Sequence, residues 1–141
     1  MYTVNVRVVD DDGGEAVGSG TVRVNNVAPA AVTVVATSPI AENGVTDLTV
    51  TFTDPGTLDG HTVEVDWGDG TVETLAVAAG SRTFAATHQY LDDNPTSTSS
   101  DNYTVSVRVL DDDGGASAAK ALQLRKRTAS AAKRMFFMKA S

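Results

Sequence analysis

The chain has 141 residues, 41 % of them hydrophobic, no cysteine, and a formal net charge of −7. That length and apolar content suffice for one domain with a real core. The missing thiols exclude disulfides, thiolate zinc sites and cysteine nucleophiles. Every acidic residue lies before position 125, so residues 1–124 hold 18 acids against five bases, while residues 125–141 carry six bases and no acid. A body of net charge −13 repels nucleic acid and anionic membranes and suits a hard cation. Val, Ala and Thr dominate and Leu is scarce. Val and Thr favour pleated strands, so the composition predicts an all-β protein.

Met1 leads directly into YTVNVRVV, which reads as a strand, and no apolar run approaches the ~20 residues of a membrane span. A secretion signal, if the parent protein is exported, lies outside this chain. The opening strand belongs to a repeat. Residues 2–14, YTVNVRVVDDDGG, match residues 103–115, YTVSVRVLDDDGG, at eleven of thirteen positions. With one deletion, Val22-Arg23-Val24 aligns with Leu122-Gln123-Leu124. A period near one hundred residues is the size of an immunoglobulin-like sandwich. Residues 1–24 therefore read as the C-terminal hairpin of a preceding partial repeat, 25–28 as a linker, 29–124 as one complete copy, and 125–141 as a basic tail outside it. An isolated hairpin is marginal in water, so residues 2–9 and 20–25 are expected to dock on the complete domain or to associate with another chain.

Seven strands are predicted in the complete copy. The first is near 31–37. The second, near 46–53, alternates Leu48, Val50 and Phe52 with Thr49, Thr51 and Thr53, the pattern of one buried and one wet face. The third, 61–67, turns Val63, Val65 and Trp67 inward. A fourth and fifth lie near 71–77 and 82–90. The sixth, 103–110, buries Tyr103, Val105, Val107 and Val109, and the seventh lies near 117–124. DPGTLDG, GDG, AAG and DDDGG punctuate them as turns. Asp69-Gly70 suits a type I′ hairpin, with Asp69 capping backbone N–H groups. The tail either forms a short amphipathic helix through Met135, Phe136, Phe137 and Met138 or lacks structure.

Three motifs carry a family resemblance. Val65-Asp66-Trp67-Gly68-Asp69-Gly70-Thr71 resembles the WDFGDG signature of PKD (polycystic kidney disease) domains. Downstream, His88-Gln89-Tyr90 resembles that family's H-x-Y, and Asn102-Tyr103-Thr104-Val105 its G-x-Y-x-V strand. The resemblance spans about residues 29–124, with a longer stretch at 91–101 than is usual, and in fragment 1–24. It implies an extracellular, immunoglobulin-like sandwich used for spacing, adhesion or polysaccharide contact, and no catalytic activity.

The residues themselves offer little catalysis. His61 and His88 are the only histidines, no G-x-S-x-G elbow accompanies them, and their placement predicts surface or strand-edge positions at opposite ends of the sandwich. The aromatic residues fall mostly at inward positions, and Tyr103 suits a tyrosine-corner role. The acidic turns carry the remaining chemistry. In an up-and-down arrangement the 54–60 and 111–115 loops share the end where the linker enters. That would gather Asp54, Asp59, Asp111, Asp112 and Asp113 beside Asn25 and Asn26, all oxygen ligands suited to Ca²⁺. Aspartate is equally an ordinary turn former. No EF-hand spacing is present.

Two functions remain. One is a non-catalytic extracellular or cell-surface repeat, a spacer or adhesion module whose partners are neighbouring repeats and possibly a surface protein or polysaccharide, with Ca²⁺ as its only cofactor. The alternative is an accessory polysaccharide- or protein-binding module of an exported hydrolase. An exposed aromatic strip would favour the second, a Thr-rich face the first.

Overall fold

A computed structural model describes residues 1–91, 98 and 100–127. Its strands are β1 (Tyr2–Val9), β2 (Glu15–Val22), β3 (Ala30–Ala36), β4 (Ile40–Ala41), β5 (Val45–Thr53), β6 (His61–Asp66), β7 (Val72–Val77), β8 (Thr83–Gln89), β9 (Ser100–Asp111) and β10 (Lys120–Arg127). Three sheets result: β1-β2 alone, a five-stranded sheet β4-β10-β9-β6-β7, and a three-stranded sheet β3-β5-β8. The two larger sheets enclose the core, so the complete copy is an all-β sandwich of the immunoglobulin type.

The period-two reading holds strand by strand. Leu48, Val50 and Phe52 of β5, Val63 and Val65 of β6, and Tyr103, Val105, Val107 and Val109 of β9 are all buried, and Trp67 beyond β6 is fully buried. Thr49, Thr51 and Thr53 face solvent. Eight strands form where seven were expected. The addition is the two-residue β4, directly after the cis Ser38–Pro39 bond, which pairs in parallel with β10 at Lys126 and Arg127. The short run Ile40–Ala41 is too brief to carry a periodic signal in the sequence.

Three expectations need correction. The tail does not begin at Arg125: β10 continues to Arg127, paired with β9 as far as Ser100, and Lys126 is buried. The basic run hides a strand alternation, Arg125 and Arg127 outward and Lys126 inward. The proposed helix through residues 135–138 and most of the 91–101 stretch lie outside the described residues. Next, the type I′ turn is not formed. Trp67 N–H donates to Thr71 O (2.9 Å) across a wider loop, and the left-handed residues are Gly68 and Gly70, not Asp69. Finally, of the two outcomes expected for β1 and β2, docking on the complete domain is not formed, and association with another chain remains. Every residue of both is exposed, and among the described residues they pair only with each other.

Candidate functional site

Two polar constellations flank the core. The first grows from the Trp67 loop. Its aspartates fold the backbone back on itself: Gly68 N–H donates to Asp66 Oδ1 and Thr71 N–H to Asp69 Oδ1, both at 2.9 Å. The second oxygen of Asp69 meets His88 Nε2 at 2.8 Å. His88 lies flat against the Trp67 indole and edge-on to Tyr90. Tyr90 in turn packs on Tyr103 and donates its hydroxyl to Trp67 O at 2.8 Å. The tyrosine–backbone clasp expected of Tyr103 is thus made by Tyr90. Burial pushes the Tyr90 hydroxyl far above its ordinary pKa, which keeps it protonated as a donor. Burial also works against the Asp69 charge, but the hydrogen bonds from His88 and Thr71 outweigh it and hold the carboxyl below the usual range.

The second constellation lies at the loop between β5 and β6. Asp54 accepts from Gly56 N–H (2.8 Å) and pairs with His61 Nε2 (2.9 Å), with both side chains fully buried. Here too burial raises and the His61 and Gly56 hydrogen bonds lower, with a net downward shift. Arg82, which sequence patterning did not single out, staples this loop by donating to Asp54 O and Gly56 O, with its guanidinium over the Phe52 ring. Neither histidine is a surface residue. Each is the partner of a loop aspartate, seven residues away for His61 and nineteen for His88, and no local spacing rule marks such a pair. His61 Nδ1 is buried with no hydrogen-bond partner among the described residues.

The linker-end loops do converge. Ligand oxygens of Asp59, Asp112 and Asp113 lie within 4.8 Å of one another. Asp59 and Asp113 border an open cleft shared with Asn25, Asn26, Pro55 and Gly56. Burial first, and then the negative charges of Asp54, Asp112, Asp113 and Asp111, push the Asp59 carboxyl up. Asp54 and Asp111 are turned to other work. Asp54 faces His61, while Asp111 accepts from Gly115 N–H (2.5 Å) and from Asn26 Nδ2 (2.8 Å). The latter bond ties the linker to the turn after β9.

Comparison with known proteins now bears on this arrangement. A family model described as PKD domain matches residues 26–125. The chain belongs to the PKD domain family. No match was found among curated proteins. Among solved structures, the PKD domain of an M14-like peptidase from Thermoplasmatales archaeon SCGC AB-540-F20 is 19 % identical. It aligns over 73 % of this chain and 99 % of its own, with a TM-score of 0.60. That likeness supports the fold. The WGDG and H-x-Y motifs of this PKD domain are accounted for by one aromatic and carboxylate layer that closes the sandwich.

Proposed function

We propose that this chain is a non-catalytic structural repeat of an extracellular or cell-surface protein, working as a spacer or adhesion module between neighbouring repeats. The observation that carries this reading is the fate of its reactive side chains. Both histidines are consumed in aspartate pairs within the packed layer, and Trp67, Tyr90 and Tyr103 are buried. Three of the five exposed positions on β5 are threonine, Thr49, Thr51 and Thr53, which suits a spacer. The repeated hairpin and turn give the module its tandem setting. In this reading Ca²⁺ neutralises Asp59, Asp112 and Asp113 and stiffens the joint between linker and domain. Three carboxylates and the neighbouring asparagines are the donor chemistry a calcium ion takes. The test is a binding and turnover panel. The chain should stay in solution with cellulose, chitin and collagen fibres, and should hydrolyse no ester, peptide or glycoside. Depletion onto one fibre would instead support the accessory-module reading, and turnover lost in H61A or H88A would overturn the non-catalytic one.

A further inference from the structure

Among the described residues, nothing covers the apolar face of the β1–β2 hairpin. Tyr2, Val4, Val6 and Val8 are 65, 49, 54 and 62 % exposed, whereas their repeat equivalents Tyr103, Val105, Val107 and Val109 are at most 2 % exposed. The same residues therefore stand in both a covered and an uncovered state within one chain. We infer that residues 1–24 are a preformed complementing hairpin, and that the partner they fit is an incomplete PKD-type sandwich presenting strands equivalent to β3–β8.

The fit follows from what β9 touches. Its edge pairs with β6 from Asp66↔Ser106 to His61↔Asp111. Its inner face meets the core of the opposite sheet. Gly68 passes so close to the Thr104 backbone that a Cβ there would lie 2.6 Å from Thr104 O. Arg108 approaches Glu64 at 3.9 Å, and Asp112 N–H donates to Gly60 O. The hairpin supplies the same residue at eight of the ten matching positions, namely Tyr2, Thr3, Val4, Val6, Arg7, Val8, Asp10 and Asp11. The two differences, Asn5 for Ser106 and Val9 for Leu110, both fall on the strand's outer face. The turn is also already set. Asp10 N–H donates to Gly14 O and Gly14 N–H to Asp10 Oδ1, duplicating the bonds of Asp111 and Gly115. Gly13 and Gly114 share φ near +90°.

Only the return strand must adjust. Tyr103 lies opposite Leu124, but Tyr2 lies opposite Val22, two residues short of the aligned Val24. Capture would draw Val24 opposite Tyr2, with Gly18-Ser19-Gly20 leaving the ladder. Neither glycine has a heavy atom within 4 Å of where its Cβ would be, so no packed neighbour crowds the strand at these positions.

The experiment mixes the full chain with an isotope-labelled fragment of residues 29–99. The fragment alone lacks its β9 equivalent. The expected result is a stoichiometric complex in which the fragment gains slow-exchanging amides, residues 2–8 gain protection, and contacts appear between Tyr2 and Val24. V6D in the full chain should abolish capture while leaving the β3–β10 domain's melting unchanged. A fragment that folds with a peptide of residues 100–127 but not with the full chain would overturn the inference. If it folds with neither, a full chain with residues 103–124 replaced by residues 2–24 decides: an unfolded product overturns it and a folded one supports it. A full chain that covers the face by dimerising, with Val22 still opposite Tyr2, would also overturn it.

Discussion

The imidazole of His88 lies on the indole of Trp67 with ring centroids 4.6 Å apart and planes within 11°. Its Nε2 is 2.8 Å from Asp69 Oδ2 on the turn that Trp67 begins. The turn between β6 and β7 is thereby fastened to β8, in the opposite sheet. H88A removes a stacked pair, about 0.5–1.5 kcal/mol, and a hydrogen bond to a charged group, about 1.5–3 kcal/mol. A loss near 2–4 kcal/mol in chemical denaturation is expected. D69N should cost less, because the stack survives. Equal losses would show that the carboxylate alone matters.

Acid should attack both aspartate–histidine pairs. The carboxyls of Asp54 and Asp69 are held below their unfolded value, so the folded state binds fewer protons than the unfolded one. Their contribution is complete above the unfolded pKa of ~3.8 and is lost as pH falls through the lowered folded values. Unfolding free energy should therefore decline from about pH 5 downward. Asp59 works in the opposite sense, since its raised pKa favours the protonated folded state, but it is one group against two. In D54N the acid limb of the stability curve should be shallower. An unchanged limb would remove Asp54 from the account.

The two glycines of the 67–71 loop should respond differently. Both have positive φ, +78° at Gly68 and +96° at Gly70, so alanine costs about 1–2 kcal/mol at either from backbone strain. Gly70 has open space around it, and G70A should cost no more than that. At Gly68 the new methyl would meet the Thr104 backbone, which cannot swing away as a side chain could. G68A should cost more and should loosen β9, read as faster amide exchange in Thr104 and Val105. Matching costs would show that the close approach is relaxed in solution.

Calcium is best tested where repulsion is greatest. Asp59 faces Asp112 and Asp113, and its carboxyl is already pushed up by burial and by their charge. A cation would reverse that repulsion. The melting temperature should rise with calcium concentration by mass action and fall in chelator. D59N should raise the chelated melting temperature and abolish the calcium response. Identical melts of the native chain in millimolar calcium and in chelator would leave these residues as ordinary turn formers.

Much of this architecture was legible in the sequence because its signal is local. The alternations Leu48-Val50-Phe52 and Tyr103-Val105-Val107-Val109 state which face is buried, and DDDGG and WGDG mark turns by residue chemistry. Convergence of the linker-end loops followed from strand direction alone. Pairings between distant loops did not. His61 and His88 carry no period, so nothing local distinguishes a histidine at an edge from one buried against Asp54 or Asp69. The aspartates looked like one set of ligands, yet Asp54 and Asp111 are spent on hydrogen bonds and only Asp59, Asp112 and Asp113 gather.

The end of the domain was concealed by charge, and Lys126 shows why that matters. In Arg125-Lys126-Arg127 the sequence presents three cations in a row, which reads as solvated tail. In the fold Lys126 is 1 % exposed, its Nζ donating to Leu91 O at 3.0 Å and lying 3.3 Å from Asp101 Oδ2. Burial alone would lower the lysine pKa, but the hydrogen bond and charge of Asp101 outweigh it and hold the ammonium above its ordinary value. The lysine's contribution is therefore fully present below the unfolded pKa of ~10.4 and is lost as pH rises through the folded one. Removing one partner leaves the other charge buried, a cost of about 3–5 kcal/mol. K126A and D101A should each fall in that range, and K126M/D101L, which removes both charges, should recover much of it. A chain ended after Leu124 should lose as much stability as K126A, because it also gives up the pairing of β10 with β4. If K126A melts with the native chain, the ammonium is solvated and the boundary belongs at Leu124 after all.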